Sequence, residues 1–558
     1  MPTLLSLALV GFGTIGIATR NSEMCDKFRT ESGGIYKPVR VHIEIANGEE
    51  ANNEQSEFLT KVLVPHAKKF IETTFETIPL ATPKSIPPQS CGGYGIPEII
   101  MYDEDLVALI ILERSDKGVR MSTTHCSLDD CGRTLFGIIT IYLDKLEHQG
   151  FGAENSINTM THELVHILGF SGNSYSRFSS AVAASPPLKI VKYSCNKDPK
   201  THKFQVKWGL SDDTPITNTN DVYEHRFAPG VVKAIDARGL KASDCRCPFD
   251  PLRTYTDSDI MHCLEHPNHC AVAIITPKVV EATREYFDCP IAEGMELENA
   301  SNSVCGRFYE SHWKTLLIPG ELMTLMTAGH SFVTPMTFAV VQDSGWYRLS
   351  SKAVPSVLIP GATPGFKTSC EYLSQSCSKR LKSDDRFCDP NKDIIRCDND
   401  ALGLSLCSRK YFQEGTIHHS KTLREYKHKS SMVAMRFFDH CPAFVPLQTC
   451  SGPSERCLMT RFGSVKKSGF INRIKRRIGM SSGFHTPEPV CLVVSCSLDK
   501  QTYSVHVAGG KFRGKCSRKD EIIDSGSIII ICQDPVIICA SWNFPHHSSG
   551  SNMNQVPY

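Results

Sequence analysis

The chain has 558 residues, of which 41% are hydrophobic and 22% charged, enough apolar material for a large core and too little charge for wholesale disorder. With 61 basic against 59 acidic residues the formal net charge is +2, so no basic surplus points to nucleic acid and no acidic surplus to a solvating tail. Twenty-four cysteines, an even count, fit an oxidising compartment better than a reducing cytosol, and the length allows about three to five domains or fewer large ones.

Residues 1–19 carry no charge, 4–10 are strongly apolar, and the small residues Gly16 and Ala18 suit a cut after Ala18. This reads as a signal peptide over 1–18, although no Lys or Arg precedes the apolar run. A short N-terminal segment, 19–37, follows. Val39, Val41, Ile43 and Ile45 alternate with Arg40, His42 and Glu44, the period of a half-buried strand. Over 53–75 the residues Phe58, Leu59, Val62, Leu63, Phe70 and Ile71 predict a helix, which Pro65 should kink or split. The β-branched apolar runs 106–112 and 138–143 predict buried strands. The next helix is expected over 155–170, with Ile157, Met160, Leu164, Ile167 and Leu168 on one face and Gly169 suited to its end. Strand, helix, strands, helix implies a mixed sheet with helices packed on it, an α+β or α/β unit.

From 173 to 309 the pattern weakens, and Cys245, Cys247, Cys263 and Cys270 cluster in a spacing that matches no standard zinc module, so disulfides in an irregular insertion are expected. A helix over 277–287 interrupts this stretch. Eleven cysteines precede Pro360 and thirteen follow it, which predicts short disulfide-linked elements over 370–539. The runs 528–531 and 536–538 read as buried strands, and no other stretch reaches the ~18 apolar residues of a membrane span. The basic stretch 466–477 reads as a solvated face, and the polar end 546–558 shows no hydrophobic tail of the lipid-anchor kind.

One motif carries chemistry. His162, Glu163, Leu164, Val165 and His166 form H-E-x-x-H. Histidines four apart on a helix share a face and can bind one metal ion, with zinc the ion that suits neutral imidazoles. Glu163, beside His162, would take a proton from water at the metal and hand it to a leaving amine. Gly169 stands where the metzincin pattern has its glycine, but Gly172 occupies the place of that pattern's next ligand. Two downstream candidates remain for a third ligand: Glu285, which would make a thermolysin-like set, and His312, which is followed by Glu321, Leu322 and Met323. A cysteine-rich adhesion protein on an inactive scaffold is the rival outside catalysis, and the intact motif speaks against it.

The stretch 161–171, THELVHILGFS, resembles the zinc helix of the leishmanolysin family, metzincins with a long insertion before the third histidine. Ser311, His312 and Trp313 resemble that family's third-ligand segment, and Glu321, Leu322 and Met323 its Met-turn. Segments 339–347 and 282–289 resemble the helix after that turn and an element of the insertion, which makes Glu285 a structural residue. Segments 438–442 and 503–505 resemble the family's C-terminal domain. The resemblance implies an α+β fold: a metzincin-like catalytic domain of twisted mixed sheet and active-site helix, a long insertion, and a cysteine-rich C-terminal domain. It divides the chain at 38–172, 173–360 and 361–558. It further implies one zinc ion on His162, His166 and His312, Glu163 as general base, Met323 packed beneath the metal, and Gly169 as hinge. The expected protein is a secreted or extracellular zinc metalloendopeptidase acting on extended polypeptides, with no nucleic-acid partner. The family's long propeptide has little counterpart in 19–37; Cys25 is the one residue there that could block a zinc, and a disulfide or a free thiol is its plainer role.

Overall fold

The alternating segment folds as strand β1, Val41–Ile45, with Val41 buried and His42 and Glu44 exposed. In this computed structural model the described residues are 35–80, 82–114, 120–148, 150–178, 189–197, 204–208, 222–227, 231–235, 271–298, 311–325, 331–353 and parts of 356–539. The expected signal peptide, Cys25, the cluster Cys245, Cys247, Cys263 and Cys270, the basic stretch 466–477 and the polar end 546–558 lie outside them.

Strands β2, Leu106–Glu113, β3, Met121–Leu128, and β4, Thr134–Tyr142, join β1 in the order β1-β2-β4-β3. β2 runs parallel to both β1 and β4, while β3 runs antiparallel to β4 and forms the edge. The sheet is therefore mixed, as the element order implies. β4 is buried along its whole length, the reason 138–143 reads as a largely apolar, β-branched run rather than an alternating one.

The segment 53–75 is helical but not one helix. α1, Asn53–Phe58, opens with a reciprocal cap: Asn52 Oδ1 accepts from Gln55 N at 2.9 Å, and Gln55 Oε1 accepts from Asn52 N at 3.2 Å. A π turn, Leu59–Leu63, then leads into α2, Val64–Thr74. Pro65 has no N–H for an α-helical bond, and the wider turn before it absorbs that break. α3, Gly150–Ile167, starts earlier than the expected Asn155. Gly150 and Gly152 obscure its start in sequence, because glycine is a poor helix former. Gly152 has a packing reason: a Cβ there would lie 2.7 Å from Glu147 Cβ. α2 and α3 cover the sheet, and Phe70, Ile71, Ile139, Met160 and Leu164 share one core.

Helix α4, Pro277–Phe287, has the expected bounds and ends on Asp288 in the left-handed region at φ 55°. α5, Pro335–Asp343, packs against it. Asp343, at the end of α5, accepts from Lys278 N at 2.9 Å and Val279 N at 3.2 Å, which serves the unpaired N–H groups at the start of α4. The core continues without a break from the sheet and α3 to Tyr286, Trp313, Met323 and Val340. Within the insertion the strands Lys189–Lys197, Phe204–Trp208 and Val222–Phe227 form a three-stranded antiparallel sheet that its weak sequence pattern did not announce.

Disulfides dominate the C-terminal third. Cys388–Cys407, Cys397–Cys457, Cys450–Cys491, Cys496–Cys539 and Cys516–Cys532 are bridged there, and Cys289–Cys370 ties α4 to it. A six-stranded antiparallel sheet, centred on Glu488–Cys496 and Glu455–Phe462, holds its own core of Leu458, Val494, Tyr503, Val505 and Ile530. Ile528–Ile531 is a strand of this sheet, as expected. Residues 536–538 are not a strand: Pro535–Ile538 forms a helical turn, because Pro535 suits a first helical position and Asp534 Oδ1 accepts from Val536 N at 2.9 Å. Among the described residues no helix is long and apolar enough to cross a membrane.

Candidate metal centre

α3 carries His162, Glu163 and His166 into the interior, each below a tenth exposed. The i, i+4 spacing puts the two imidazoles on one face, with Nε2 atoms 2.9 Å apart. His312, from the far side of the insertion, completes the group at 3.1 Å from His162 Nε2 and 3.2 Å from His166 Nε2. Among the described residues these three are the one cluster of side chains gathered closely enough to hold a metal ion.

The tautomers follow from the other ring nitrogens. His162 Nδ1 lies 2.6 Å from the Leu322 carbonyl and His166 Nδ1 2.7 Å from the Phe170 carbonyl. A carbonyl only accepts, so both Nδ1 atoms carry the proton and both Nε2 atoms present lone pairs. Burial holds all three histidines neutral: His162 falls to about 4, and His166 and His312 fall well below the ordinary histidine value. Neutral nitrogen donors converging at these distances repel one another unless a cation lies among them. The donor set fits a metal ion.

The turn that frees the third position is visible. Gly169 has φ +126°, and a Cβ on it would lie 2.8 Å from the Trp346 ring. The chain then reverses so that Phe170 packs against Trp313, with ring centroids 4.6 Å apart and the planes tilted by 48°. Gly172 N donates to Ser311 Oγ at 3.2 Å. The place of a contiguous third ligand is thus taken, in space, by the neighbour of His312. Gly169→Ala should cost about 1–3 kcal/mol, since it combines a left-handed backbone with a ring clash. Differential scanning calorimetry would show the drop in melting temperature; an unchanged melt would contradict this account of the turn.

Glu163 points towards the edge strand: its Oε2 accepts from Thr123 Oγ1 of β3 at 2.6 Å. Burial pushes its carboxyl up to about 7, against the pull of the Thr123 hydroxyl. Met323 is fully buried, and its carbonyl accepts from Trp313 N at 2.9 Å. Glu285 lies elsewhere: its side chain is exposed on α4, outside the histidine cluster, and its backbone carbonyl accepts from Lys367 Nζ at 2.8 Å. Sequence reasoning missed Thr123, and it missed the supporting role of Glu321 and Thr337 around the turn at 321–324. It also missed the fully buried pair Lys314–Glu298, 2.9 Å apart, although a lysine directly after His312 and Trp313 was a signal.

A family model described as leishmanolysin matches residues 249–543, more than half of the chain. The chain belongs to the leishmanolysin family. The match includes His312 and Met323, while the helix with His162 and His166 precedes it; the two parts meet at the histidine cluster. Similar proteins carry the same family name. A leishmanolysin-like peptidase of Caenorhabditis elegans is 24% identical over 305 residues, 52% of this chain and 39% of that protein. One of Drosophila pseudoobscura pseudoobscura is 28% identical over 346 residues, 59% of this chain and 44% of that protein. Leishmanolysin of Leishmania major is 21% identical over 543 residues, 91% of this chain and 72% of that protein. The alignments to the nematode and fly peptidases thus span under half of those relatives' own length.

Proposed function

We propose that this chain is a secreted zinc metalloendopeptidase in which His162, His166 and His312 hold one zinc ion and Glu163 is the general base. The observation that carries the reading is the convergence of three neutral Nε2 donors, 2.9–3.2 Å apart, with a carboxylate next to one of them on the same helix. Nitrogens ~2.0–2.1 Å from a tetrahedral zinc are separated by roughly 3.3 Å, close to these spacings. Family membership and the peptidase names of the relatives support the same class of reaction. The disulfides support an oxidising compartment.

Zinc bound there would supply Lewis acidity, acidifying water and polarising the scissile carbonyl. The chain's own residues do the rest. The Leu322 and Phe170 carbonyls fix the ring orientations of His162 and His166. Thr123 engages Glu163 Oε2 and leaves Oε1 to take a proton from water and then release it to the leaving amine. A carboxyl near neutrality suits both directions of that transfer. Met323 contributes packing alone. β3, the sheet edge beside Glu163, offers unpaired backbone groups to an extended polypeptide.

The test is metal analysis of the purified protein together with casein digestion, with and without a chelator. One zinc per chain and cleavage that stops with chelator and returns with zinc are expected. Cleavage indifferent to the chelator would end the proposal.

A further inference from the structure

Two of the three histidines depend on one short turn. His162 Nδ1 donates to the carbonyl of Leu322 at 2.6 Å. The backbone N of Trp313, next to His312, donates to the carbonyl of Met323 at 2.9 Å. Whatever fixes residues 321–324 therefore fixes the directions in which His162 and His312 present their Nε2 atoms.

That turn is held by a fully buried carboxylate, Glu321. Its Oε2 accepts from Met323 N at 2.5 Å. Its Oε1 accepts from Thr334 N at 3.0 Å, from Thr334 Oγ1 at 3.1 Å and from Thr337 Oγ1 at 2.5 Å. Thr334 is the cap of α5, and Thr337 lies in its first turn. The Thr337 hydroxyl has a second partner, Trp313 Nε1, at 2.7 Å. An indole N–H only donates, so the Thr337 oxygen accepts there and its single hydrogen goes to Glu321. The direction of every bond is set: indole to hydroxyl, hydroxyl to carboxylate, backbone N–H to carboxylate. The start of α5, the turn at 321–324 and the residue after His312 are locked to each other through two side chains.

We propose that Glu321 and Thr337 are positioning residues for the metal ligands, acting on His162 through the Leu322 carbonyl and on His312 through Trp313. The inference rests on the three histidines binding a metal, and it adds the groups that aim them. A buried carboxylate that only stabilised α5 would need its bonds to Thr334 and no others. Here the bonds to Met323 N and, through Thr337, to the indole run towards the histidines instead.

The test uses the full chain loaded with cobalt(II), whose visible absorption reports ligand geometry, alongside zinc affinity by chelator competition and thermal melting. Thr337→Val removes the hydroxyl and keeps the shape. It should bind zinc about 10–100-fold more weakly, the range seen when a group supporting a metal ligand is lost, and its cobalt spectrum should change. Thr337→Ser, which restores the hydroxyl, should return both to the wild-type values. A Thr337→Val protein with wild-type spectrum and affinity overturns the inference, even if its melting temperature falls. Should Thr337→Val fail to fold, Trp313→Phe decides: it removes the indole donor and leaves a smaller aromatic ring in its place, and an unchanged cobalt spectrum there is equally fatal. Wild-type protein that takes up neither cobalt nor zinc refutes the metal site itself, and the inference with it. Wild-type protein that binds both, beside variants that match it, refutes the positioning role alone.

Discussion

His312→Ala is expected to lose zinc and peptidase activity together, while Glu285→Ala keeps both. His312 Nε2 lies 3.1 and 3.2 Å from the other two donors, in a cluster where His162 and His166 are buried and His312 is half-buried. Removing it leaves two protein ligands where a catalytic zinc needs three. The affinity loss should exceed the ~10–100-fold that follows removal of a group merely hydrogen-bonded to a ligand. Glu285 is exposed on α4, so its truncation should change stability by no more than about 0.5 kcal/mol. Metal content and casein cleavage of the two variants, measured side by side, decide between them. Zinc retained in His312→Ala and lost in Glu285→Ala would transfer the third position to the carboxylate and dismantle the metzincin assignment.

Glu163→Ala should behave in the opposite way, with zinc bound and activity lowered about 10²–10⁴-fold, the usual worth of a general base. Its carboxylate touches Thr123 rather than any histidine, so the donor set is untouched by its removal. The pH dependence has a definite sign. Only the ionised carboxylate accepts a proton from water, so kcat/KM should rise with pH through the Glu163 midpoint. Burial places that midpoint at about 7 in the metal-free site, and an adjacent dication draws it lower. The ascending limb should therefore lie on the acid side of neutrality in the zinc form and be missing from the residual activity of Glu163→Ala. Undiminished cleavage by a zinc-loaded Glu163→Ala protein would remove this residue from the mechanism.

Much of the site was legible because its signals are local. Two histidines one helical turn apart declare a shared face, and the apolar residues from Ile157 to Leu168 declare the helix that carries them. The strands β2 and β4 were legible for the same reason, as β-branched runs buried along nearly their full length. His312 was a different matter. Spacing could not choose between it and Glu285, and the resemblance of its surroundings chose instead. What stayed hidden depends on contacts between distant segments. Thr123 is an ordinary strand threonine until β3 is laid beside α3, and Thr337 is an ordinary helix threonine until Trp313 reaches it. The early start of α3 was masked by two glycines, of which Gly152 packs closely against Glu147. The turn at Pro535–Ile538 was misread because an apolar triplet says nothing of the cap that precedes it.

The separation of His162 from His312 by 150 residues has a consequence for the protein's own synthesis. At ~5–20 residues per second, a nascent chain carries the first two histidines for roughly 8–30 s before the third leaves the ribosome. During that time the growing polypeptide has two of the three donors, and the Leu322 carbonyl that orients His162 is itself still to be made. Under the proposed function, peptide-cleaving competence would arise only after the neighbouring sheet and helices have had time to bury their own backbone, when the chain is a poor target for a copy of itself.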